Sequence, residues 1–283
     1  MPVSPSPTLK LFTELLRCPT CGAHQLHPAR GALHCPAGHA FNIARHGYVS
    51  LLSSTRATSG DDAAMVQARD RFLAAGGYAA IRRSVACLVS ATAPEEATIV
   101  DVGCGTGYYL AGVLDELPGA QGLGLDTSVR ALRSAARAHE RATAATWDVF
   151  RPFPLADSVA DVVLDVFAPR NPSEFHRVLR PGGRLIVVRP AERHLAELRA
   201  HVPGMVTIDQ EKEQRLHRAL GPHFQPTTTQ KVEYPLFLAG IEARDLIAMT
   251  PSARHVSYED LDNDDPLPDR VTVSVLVTAY RPR

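Results

Sequence analysis

Four side chains that bind soft metal ions lie within the first forty residues. They form two pairs, Cys18-Pro-Thr-Cys21 and Cys35-Pro-Ala-Gly-His39, in a chain that has only five cysteines. Two short turns that each offer two ligands can close a tetrahedral Cys₃His site, the usual geometry of structural zinc. Because protein would fill all four positions, none stays open for an activated water. We therefore predict a structural Zn²⁺; the alternative is reduced, unliganded cysteines beside a surface histidine.

A glycine loop at residues 99–107, with the sequence IVDVGCGTG, is the next motif. Its glycines follow a predicted buried strand and precede a helix predicted to begin near Tyr108. Open α/β sheets bind ligands at the carboxyl ends of their strands, where this loop would lie. Its G-x-G-x-G spacing differs from the G-x-G-x-x-G of pyrophosphate-binding loops. The loop residues predicted to contact the ligand are Gly103, Gly105, Thr106 and Gly107.

Three acidic residues indicate which ligand this loop binds. Asp101 precedes the glycines and can hold a cationic amino group, which S-adenosylmethionine carries and a dinucleotide lacks. Asp126 ends the predicted second strand and can accept hydrogen bonds from ribose hydroxyls. Asp148 can accept from the adenine amine. Each acid alone could instead be a helix N-cap, especially Asp126 before Thr127-Ser128, but together they favour S-adenosylmethionine.

The pattern of apolar runs predicts an α/β protein with a mostly parallel sheet covered by helices on both faces. Seven strands are predicted, at residues 98–102, 121–125, 143–147, 160–166, 184–189, 228–234 and 271–280. The last alternates in part, as an antiparallel strand does. We divide the chain into a zinc module at 8–55 and a body at 56–283, with a helical connector at 56–97 and a first helix near Ala63.

Composition and charge narrow the classes of function. With 283 residues, 45% of them hydrophobic, the chain can bury a full core. It has no run of eighteen apolar residues and no basic-then-apolar start, so we expect no membrane insertion and a cytoplasmic location. Cys87 and Cys104 suit reduced thiols. Residues 1–83 carry nine Lys/Arg against four Asp/Glu, which favours a polyanionic partner for the zinc end.

These motifs together resemble class I S-adenosylmethionine-dependent methyltransferases over roughly residues 65–283. The N-terminal region resembles a narrower family. The zinc ligands and the following HAFNIARHGYVSLL, residues 39–52, resemble the zinc region of the RlmA/TlrB type of 23S ribosomal RNA guanine-N1 methyltransferases. Further similar segments lie at residues 65–78, 165–172, 193–195 and 249–252.

The resemblance implies a Rossmann-like, seven-stranded, mostly parallel sheet with an N-terminal zinc-binding module. It also implies that Tyr78 and His194 line the methyl-donor pocket with the glycine loop; without it, Tyr78 would be an ordinary buried aromatic and His194 a polar group at a helix start. The implied reaction methylates N1 of a guanine in a 23S rRNA hairpin near the macrolide-binding tunnel. The stretch 166–171 resembles the TlrB-like branch, which implies macrolide resistance of the tylosin type, and the family implies a homodimer with a shared RNA cleft.

Guanine N1 carries a proton at neutral pH, so methylation requires its removal and an unpaired, extruded base. Asp165, at the end of the fourth predicted strand, could take that proton or accept from the exocyclic amine; alternatively it caps the strand end. We assign no catalytic residue from the sequence. Rival hypotheses are a small-molecule methyltransferase, which leaves the zinc module unexplained, and a non-catalytic RNA-binding protein, which donor calorimetry would exclude.

The zinc module is expected to grip the RNA backbone. Arg45, His46, Tyr48 and Arg56 supply charge and one stacking surface, although any single one could be part of a solvated basic face. Deletion of residues 1–55 is expected to abolish RNA binding and to leave donor binding intact.

Overall fold

Two β-sheets organise the chain, one of three strands and one of seven. The computed structural model describes residues 13, 15–52, 61–202, 204–205, 211–250, 253 and 266–283. Arg56, the start of the zinc module and its predicted boundary near residue 55 lie outside the described residues. The domain division therefore stays a prediction.

The small sheet belongs to the zinc module. Its strands are β1 (His27–Ala29), β2 (Ala32–His34) and β3 (Ala40–Asn42), and both neighbouring pairs are antiparallel. Each strand has only three residues, so this sheet buries little apolar surface of its own.

The large sheet carries the seven strands that the apolar runs predicted. They are β4 (Thr98–Val102), β5 (Gln121–Asp126), β6 (Ala142–Thr146), β7 (Ala160–Val166), β8 (Leu179–Pro190), β9 (Phe224–Phe237) and β10 (Arg270–Pro282). Their order is β6-β5-β4-β7-β8-β10-β9. The first five run parallel, whereas β10 is antiparallel to β8 and to β9. The predicted class I architecture is confirmed. Strand β9 is longer than predicted because β10 pairs with it from Phe224 to Phe237, and β8 begins earlier than predicted because Leu179 already pairs with Ala160 of β7.

Helices connect the strands and cover the sheet. They are α1 (Ala63–Ala74), α2 (Ala79–Ser90), α3 (Tyr108–Glu116), α4 (Val129–Ala135), α5 (Pro172–Val178), α6 (Ala196–His201), α7 (Glu211–Leu220) and α8 (Gly240–Ala248). The predicted starts near Ala63 and Tyr108 are confirmed. Asp62 fixes the start of α1, since its carboxylate accepts the N–H of Met65 at 2.9 Å.

The zinc module docks on the β6 edge of the large sheet through backbone hydrogen bonds. Val49 donates to the carbonyl of Ala144 at 2.9 Å and accepts from the N–H of Thr146 at 2.9 Å. The hydroxyl of Thr146 accepts from the N–H groups of Leu51 and Leu52 at 2.9 and 3.0 Å. The module therefore covers an edge that would otherwise expose unpaired backbone groups.

A second contact joins the same two parts. Arg17 donates its N–H to the carbonyl of Pro154 at 2.9 Å, and Leu15 accepts from the N–H of Ala156 at 3.0 Å. Apolar side chains of the module share one core with the body; they include Leu16, Leu26, Leu33, Val49 and Leu51. The small module thus gains from the body the core that its own strands cannot build.

Among the described residues, no single helix is long and apolar enough to cross a membrane. Helices α1 and α2 are long and apolar enough only when taken together, and a bend of 79° separates them. The apolar faces of both helices are buried in the protein core.

Candidate functional site

The four predicted zinc ligands converge at the tip of the small module. All their ligand atoms lie within 4.8 Å of one another. The Sγ atoms of Cys21 and Cys35 are 3.9 Å apart, and His39 Nδ1 lies 3.7 Å from Cys18 Sγ and 3.3 Å from Cys35 Sγ. A tetrahedral zinc with Zn–S bonds of about 2.3 Å has ligand–ligand edges of about 3.8 Å. The donor set and its spacing fit a closed structural Zn²⁺ with Nδ1 as the histidine ligand.

Two tight turns present these ligands. The carbonyl of Cys18 accepts from Gly22 at 2.8 Å, and that of Cys35 accepts from Gly38 at 2.9 Å. Burial opposes ionisation of the Cys18 thiol, but hydrogen bonds from backbone N–H groups at Cys21 and Thr20 lower its pKa overall. The turn is thus arranged to hold a thiolate, the form that binds metal.

The glycine loop lies where the sequence predicts it, between β4 and α3. Gly103 and Gly107 have φ values of +70° and +80°, which glycine tolerates far better than other residues. A Cβ at Gly103 would lie 2.6 Å from Cβ of Ala168, and one at Gly107 would lie 3.0 Å from Cα of Ala135. Close packing therefore excludes a side chain at both of these glycines. Thr106, within the same loop, is 7% exposed.

Asp101 is a buried carboxylate with an unsatisfied oxygen. It is 2% exposed, and its Oδ2 has no hydrogen-bond partner among the described residues. Burial, with smaller contributions from Asp126 and Asp165, raises the pKa of Asp101 to about 8. An unpaired buried acid is costly, so this site fits a cationic group that pairs with it, such as the amino group of a bound methyl donor.

Asp126 ends β5 beside the glycine loop. Its Oδ2 accepts the N–H of Gly105 at 2.9 Å, and its Oδ1 accepts the N–H of Ser128 at 2.7 Å. The N-cap of α4 is Ser128, whose hydroxyl accepts from Ala131, so the alternative that Asp126 caps this helix is wrong. Burial raises the pKa of Asp126, although these backbone hydrogen bonds oppose the rise. Each oxygen keeps a lone pair that a ribose hydroxyl can use.

Asp148 follows β6 and is half-buried. Its Oδ1 accepts the N–H of Phe150 at 3.0 Å, which closes a tight turn after the strand. The preceding Trp147 is 6% exposed, and its Nε1 has no hydrogen-bond partner among the described residues. The ends of the neighbouring strands β4, β5 and β6 thus bring Asp101, Asp126 and Asp148 to one edge of the sheet.

Tyr78 and His194 are adjacent although 116 residues separate them in sequence. The hydroxyl of Tyr78 lies 3.4 Å from Nε2 of His194, and both side chains are buried. The N–H of Ser274 donates to Nδ1 of His194 at 3.2 Å, which places the imidazole proton on Nε2. Burial, with a smaller contribution from Arg199, lowers the pKa of His194 to about 4. The ring is therefore neutral near pH 7 and can donate to Tyr78.

Two family models match this chain. One is described as "Methyltransferase domain" and matches residues 99–183; the other is described as "RlmA, N-terminal" and matches residues 16–59. A putative 23S rRNA (guanine-N(1)-)-methyltransferase of Micromonospora griseorubida is 42% identical over 94% of this chain and 97% of that protein. The 23S rRNA (guanine(748)-N(1))-methyltransferase of Streptomyces fradiae is 42% identical over 96% of this chain and 99% of that protein.

The chain belongs to the 23S rRNA guanine-N1 methyltransferase family. A third relative, the putative 23S rRNA (guanine-N(1)-)-methyltransferase YxjB of Bacillus subtilis, is 36% identical over 66% of this chain and 68% of that protein. Family membership confirms the resemblance seen in the sequence. It also agrees with S-adenosylmethionine and zinc as the groups that the two sites bind.

Asp165 lies near the end of β7 in this methyltransferase and is fully buried. Neither of its carboxylate oxygens has a hydrogen-bond partner among the described residues. Nε of Arg170 is 3.3 Å from Oδ1, an ion-pair distance, but the two atoms are not oriented for a hydrogen bond. Burial raises the pKa of Asp165 to about 8, although Arg170 opposes the rise. The register of β7 on β4 pairs Asp101 with Leu164, so Asp165 lies one position further along β7, and its charge contributes to the raised pKa of Asp101.

An aromatic cluster next to these acids was not foreseen. Phe167 has φ +56° and lies 6.0, 6.1 and 6.4 Å, between ring centroids, from Tyr78, His194 and Tyr109. The Tyr109 hydroxyl is buried without a hydrogen-bond partner among the described residues. Tyr109 lies two positions after the last glycine of the loop, and that place in the sequence was the available signal for it. The cluster gives the site one apolar wall.

Arg69 is a second residue that the sequence alone did not assign to the site. Its guanidinium donates to Asp61 and, at 2.8 Å, to the carbonyl of Met249. A Cβ at Gly105 would lie 3.4 Å from its Nη1, so it covers the glycine loop. Its segment is one that resembles the family, which was the available signal.

Tyr48 does not offer an RNA-stacking surface, so that expectation was wrong. It is 7% exposed and packs with Cys104 of the glycine loop and with Leu132, Ala135 and Ala144. Because the residues that follow it, Val49 to Leu52, dock on β6, the ring turns inward. The zinc module therefore shares a small buried core with the glycine loop.

Proposed function

We propose that this methyltransferase transfers the methyl group of S-adenosylmethionine to N1 of a guanine in a hairpin loop of 23S ribosomal RNA, near the macrolide-binding tunnel. The observation that carries the proposal is the 42% identity to the Streptomyces fradiae enzyme across nearly the full length of both chains. The identity spans the zinc module as well as the methyltransferase domain. A donor site alone serves many acceptors, so the full-length match is what favours RNA.

In this proposal the acids along the sheet edge bind the donor. S-adenosylmethionine supplies the methyl group. Asp101 pairs with the donor's amino group, which satisfies the oxygen that has no partner among the described residues. Asp126 accepts from the ribose hydroxyls while the N–H groups of Gly105 and Ser128 hold its orientation. Asp148, Tyr78 and His194 complete the pocket wall, with the neutral imidazole fixed by Ser274.

Asp165 is our proposed acceptor-side residue. It is buried close enough to Asp101 for its charge to act on that acid, and neither of its oxygens has a hydrogen-bond partner among the described residues, so both can accept from guanine. A carboxylate whose pKa is raised to about 8 is a better proton acceptor near neutral pH than an ordinary aspartate. Asp165 would therefore take the N1 proton as the methyl group is transferred. Phe167, which is 38% exposed beside the site, offers a ring face to an extruded base.

Mass spectrometry of 23S rRNA tests the proposal directly. The RNA is taken from a strain that lacks its own guanine-N1 methyltransferase, with and without this protein. We expect one new N1-methylguanine in the tunnel hairpin when the protein is present. No added methyl group, in a protein that binds S-adenosylmethionine tightly by calorimetry, would contradict the RNA assignment and point to a small-molecule acceptor.

Three further properties follow from this function as proposals. Methylation of the tunnel hairpin would raise the inhibitory concentration of tylosin-type macrolides in the same strain. We expect a cytoplasmic location because the proposed substrate is ribosomal RNA. The family resemblance supports a homodimer with a shared RNA cleft, and light scattering of the purified protein measures its mass directly.

A further inference from the structure

A cluster of basic side chains lies across the junction between the zinc module and the body. Arg45 and His46 belong to the module, whereas Arg133 lies on α4 and Arg137 follows that helix. Nη1 of Arg137 is 3.1 Å from Nδ1 of His46. We call these four residues the junction patch.

The three arginines of the junction patch are exposed and lack acidic partners. Within the part of the chain that the structure describes, none of them forms an ion pair with a carboxylate. Many other arginines do; examples are Arg17, Arg69, Arg71, Arg82, Arg177 and Arg180. Burial, followed by the charges of Arg133, Arg137 and Arg45, lowers the pKa of His46. The charges of all three arginines thus reach His46, and no carboxylate among the described residues neutralises them.

Packing beneath the patch fixes its two halves in place. A Cβ at Gly47 would lie 3.7 Å from Cβ of Ala136, so the module loop runs directly along the end of α4. Tyr48 anchors that loop among Leu132 and Ala135 on the buried face of the same helix. The arginines from the two parts therefore keep a constant spacing, which a flexible tether would not provide.

The position of α4 connects the patch to the donor site. The helix begins at Val129, three residues after Asp126, and its cap Ser128 donates its N–H to that acid. Arg130, also exposed, precedes Arg133 by one helical turn on the same face. The basic surface thus extends from the edge of the donor site toward the zinc module.

We propose that Arg45, Arg133 and Arg137 bind phosphates of the substrate RNA, so that the RNA backbone crosses the junction between module and body. This inference rests on the proposed function and extends it, because it assigns part of RNA recognition to α4 rather than to the zinc module alone. Unneutralised arginines at fixed spacing match a polyanion, and each guanidinium can contact phosphate oxygens with two donors.

The test compares Arg133→Ala, Arg137→Ala and the double variant with wild type. Fluorescence anisotropy measures the Kd for a synthetic hairpin carrying the mapped guanine, over a series of KCl concentrations. We expect the double variant to bind at least 10-fold more weakly near 100 mM salt. The slope of log Kd against log salt should fall by about 0.7 to 0.9 for each lost phosphate contact. Its Kd for S-adenosylmethionine, measured by calorimetry, should stay within twofold of wild type.

Arg83→Ala is the matched control. Arg83 is an exposed arginine on α2. The hydroxyl of the adjacent Ser84 donates to Oε1 of Gln230 on β9 at 3.0 Å, so Arg83 lies near the edge of the sheet opposite to β6. The Arg83→Ala variant should have the wild-type Kd for RNA and the wild-type slope of log Kd against log salt. If the double variant kept the wild-type RNA affinity and salt slope, the proposal that the junction patch binds RNA would be wrong, whereas the proposed function would not be affected. Failure of wild type itself to bind the hairpin or methylate rRNA would instead defeat the proposed function.

Discussion

Asp101 must change its protonation state when the donor binds. Its pKa in the free protein is about 8, so at pH 6.5 the carboxyl is mostly protonated, whereas pairing with an ammonium group requires the carboxylate. Donor binding should therefore release close to one proton at pH 6.5, and affinity should rise up to about tenfold per unit between pH 6 and 7. Titration calorimetry in two buffers of different ionisation enthalpy measures this release.

Asp101→Asn supplies the control, because it keeps the shape and removes the titration. We expect no proton release and donor binding about 10- to 100-fold weaker, the range for losing a hydrogen bond to a charged group. The stability of the donor-free protein should change with pH in the opposite direction to donor affinity. A raised carboxyl pKa makes the donor-free fold lose stability as pH rises from about 4 to 8, and the Asn variant should lose less. Buffer-independent heats in wild type would contradict the assignment.

The proposed role of Asp165 is tested by the rate of methyl transfer rather than by the affinity for the donor. Asp165→Asn removes the proton acceptor but keeps an oxygen for the guanine amine, so single-turnover transfer should slow by about 10²- to 10⁴-fold. The wild-type rate should rise with pH to a plateau, with a midpoint at or below about 8, since the donor's positive charge lowers the pKa of this carboxyl. The variant should have a flat profile. Unchanged transfer by the variant, with normal donor affinity, would exclude Asp165 as the base.

At the scale of elements, the glycine loop combines an unusual backbone with close packing, and two substitutions separate these effects. Gly103→Ala introduces both a strained φ of +70° and a contact at 2.6 Å with Ala168. Gly182→Ala introduces only the strain, because its φ is +84° and nothing lies within 4 Å. Thermal unfolding should show a cost of about 1 to 2 kcal/mol for the φ alone. Only Gly103→Ala should lose donor binding. Equal donor affinity in the two variants would contradict the conclusion that close packing at Gly103 shapes the donor site.

Features encoded locally were predictable from sequence, and those created by docking were not. The zinc ligands follow from spacing within two turns, and the seven strands follow from runs of apolar residues. The hydrogen bonds of Val49 to β6 join positions almost a hundred residues apart, so no local pattern contains them. The same holds for Tyr78 and His194, which only the family resemblance brought together. Tyr48 was assigned to the wrong surface for this reason.

At the scale of the whole molecule, the docking of the zinc module on the body means that its RNA-binding role cannot be tested simply by deleting it. Deleting residues 1–55 would remove the strand partner of β6 and the apolar side chains that the module contributes to the shared core. Such a fragment would expose an edge prone to aggregation, so loss of RNA binding in it would not report on RNA contacts alone. A single change at the metal site perturbs the module while leaving the chain complete.

Cys21→Ser is that change, with Cys87→Ser as control, because both cysteines are exposed and only Cys21 belongs to the metal cluster. Wild type should carry one zinc per chain by atomic emission, and Cys21→Ser far less. Loosening the module costs folding energy, and a loss of about 3 kcal/mol would lower Tm by roughly 6 to 12 °C. Since Tyr48 belongs to the same small core as Cys104 of the glycine loop, donor affinity should also fall several-fold. Unchanged donor binding in zinc-free Cys21→Ser protein would mean that the module stabilises the edge of the sheet without supporting the donor loop.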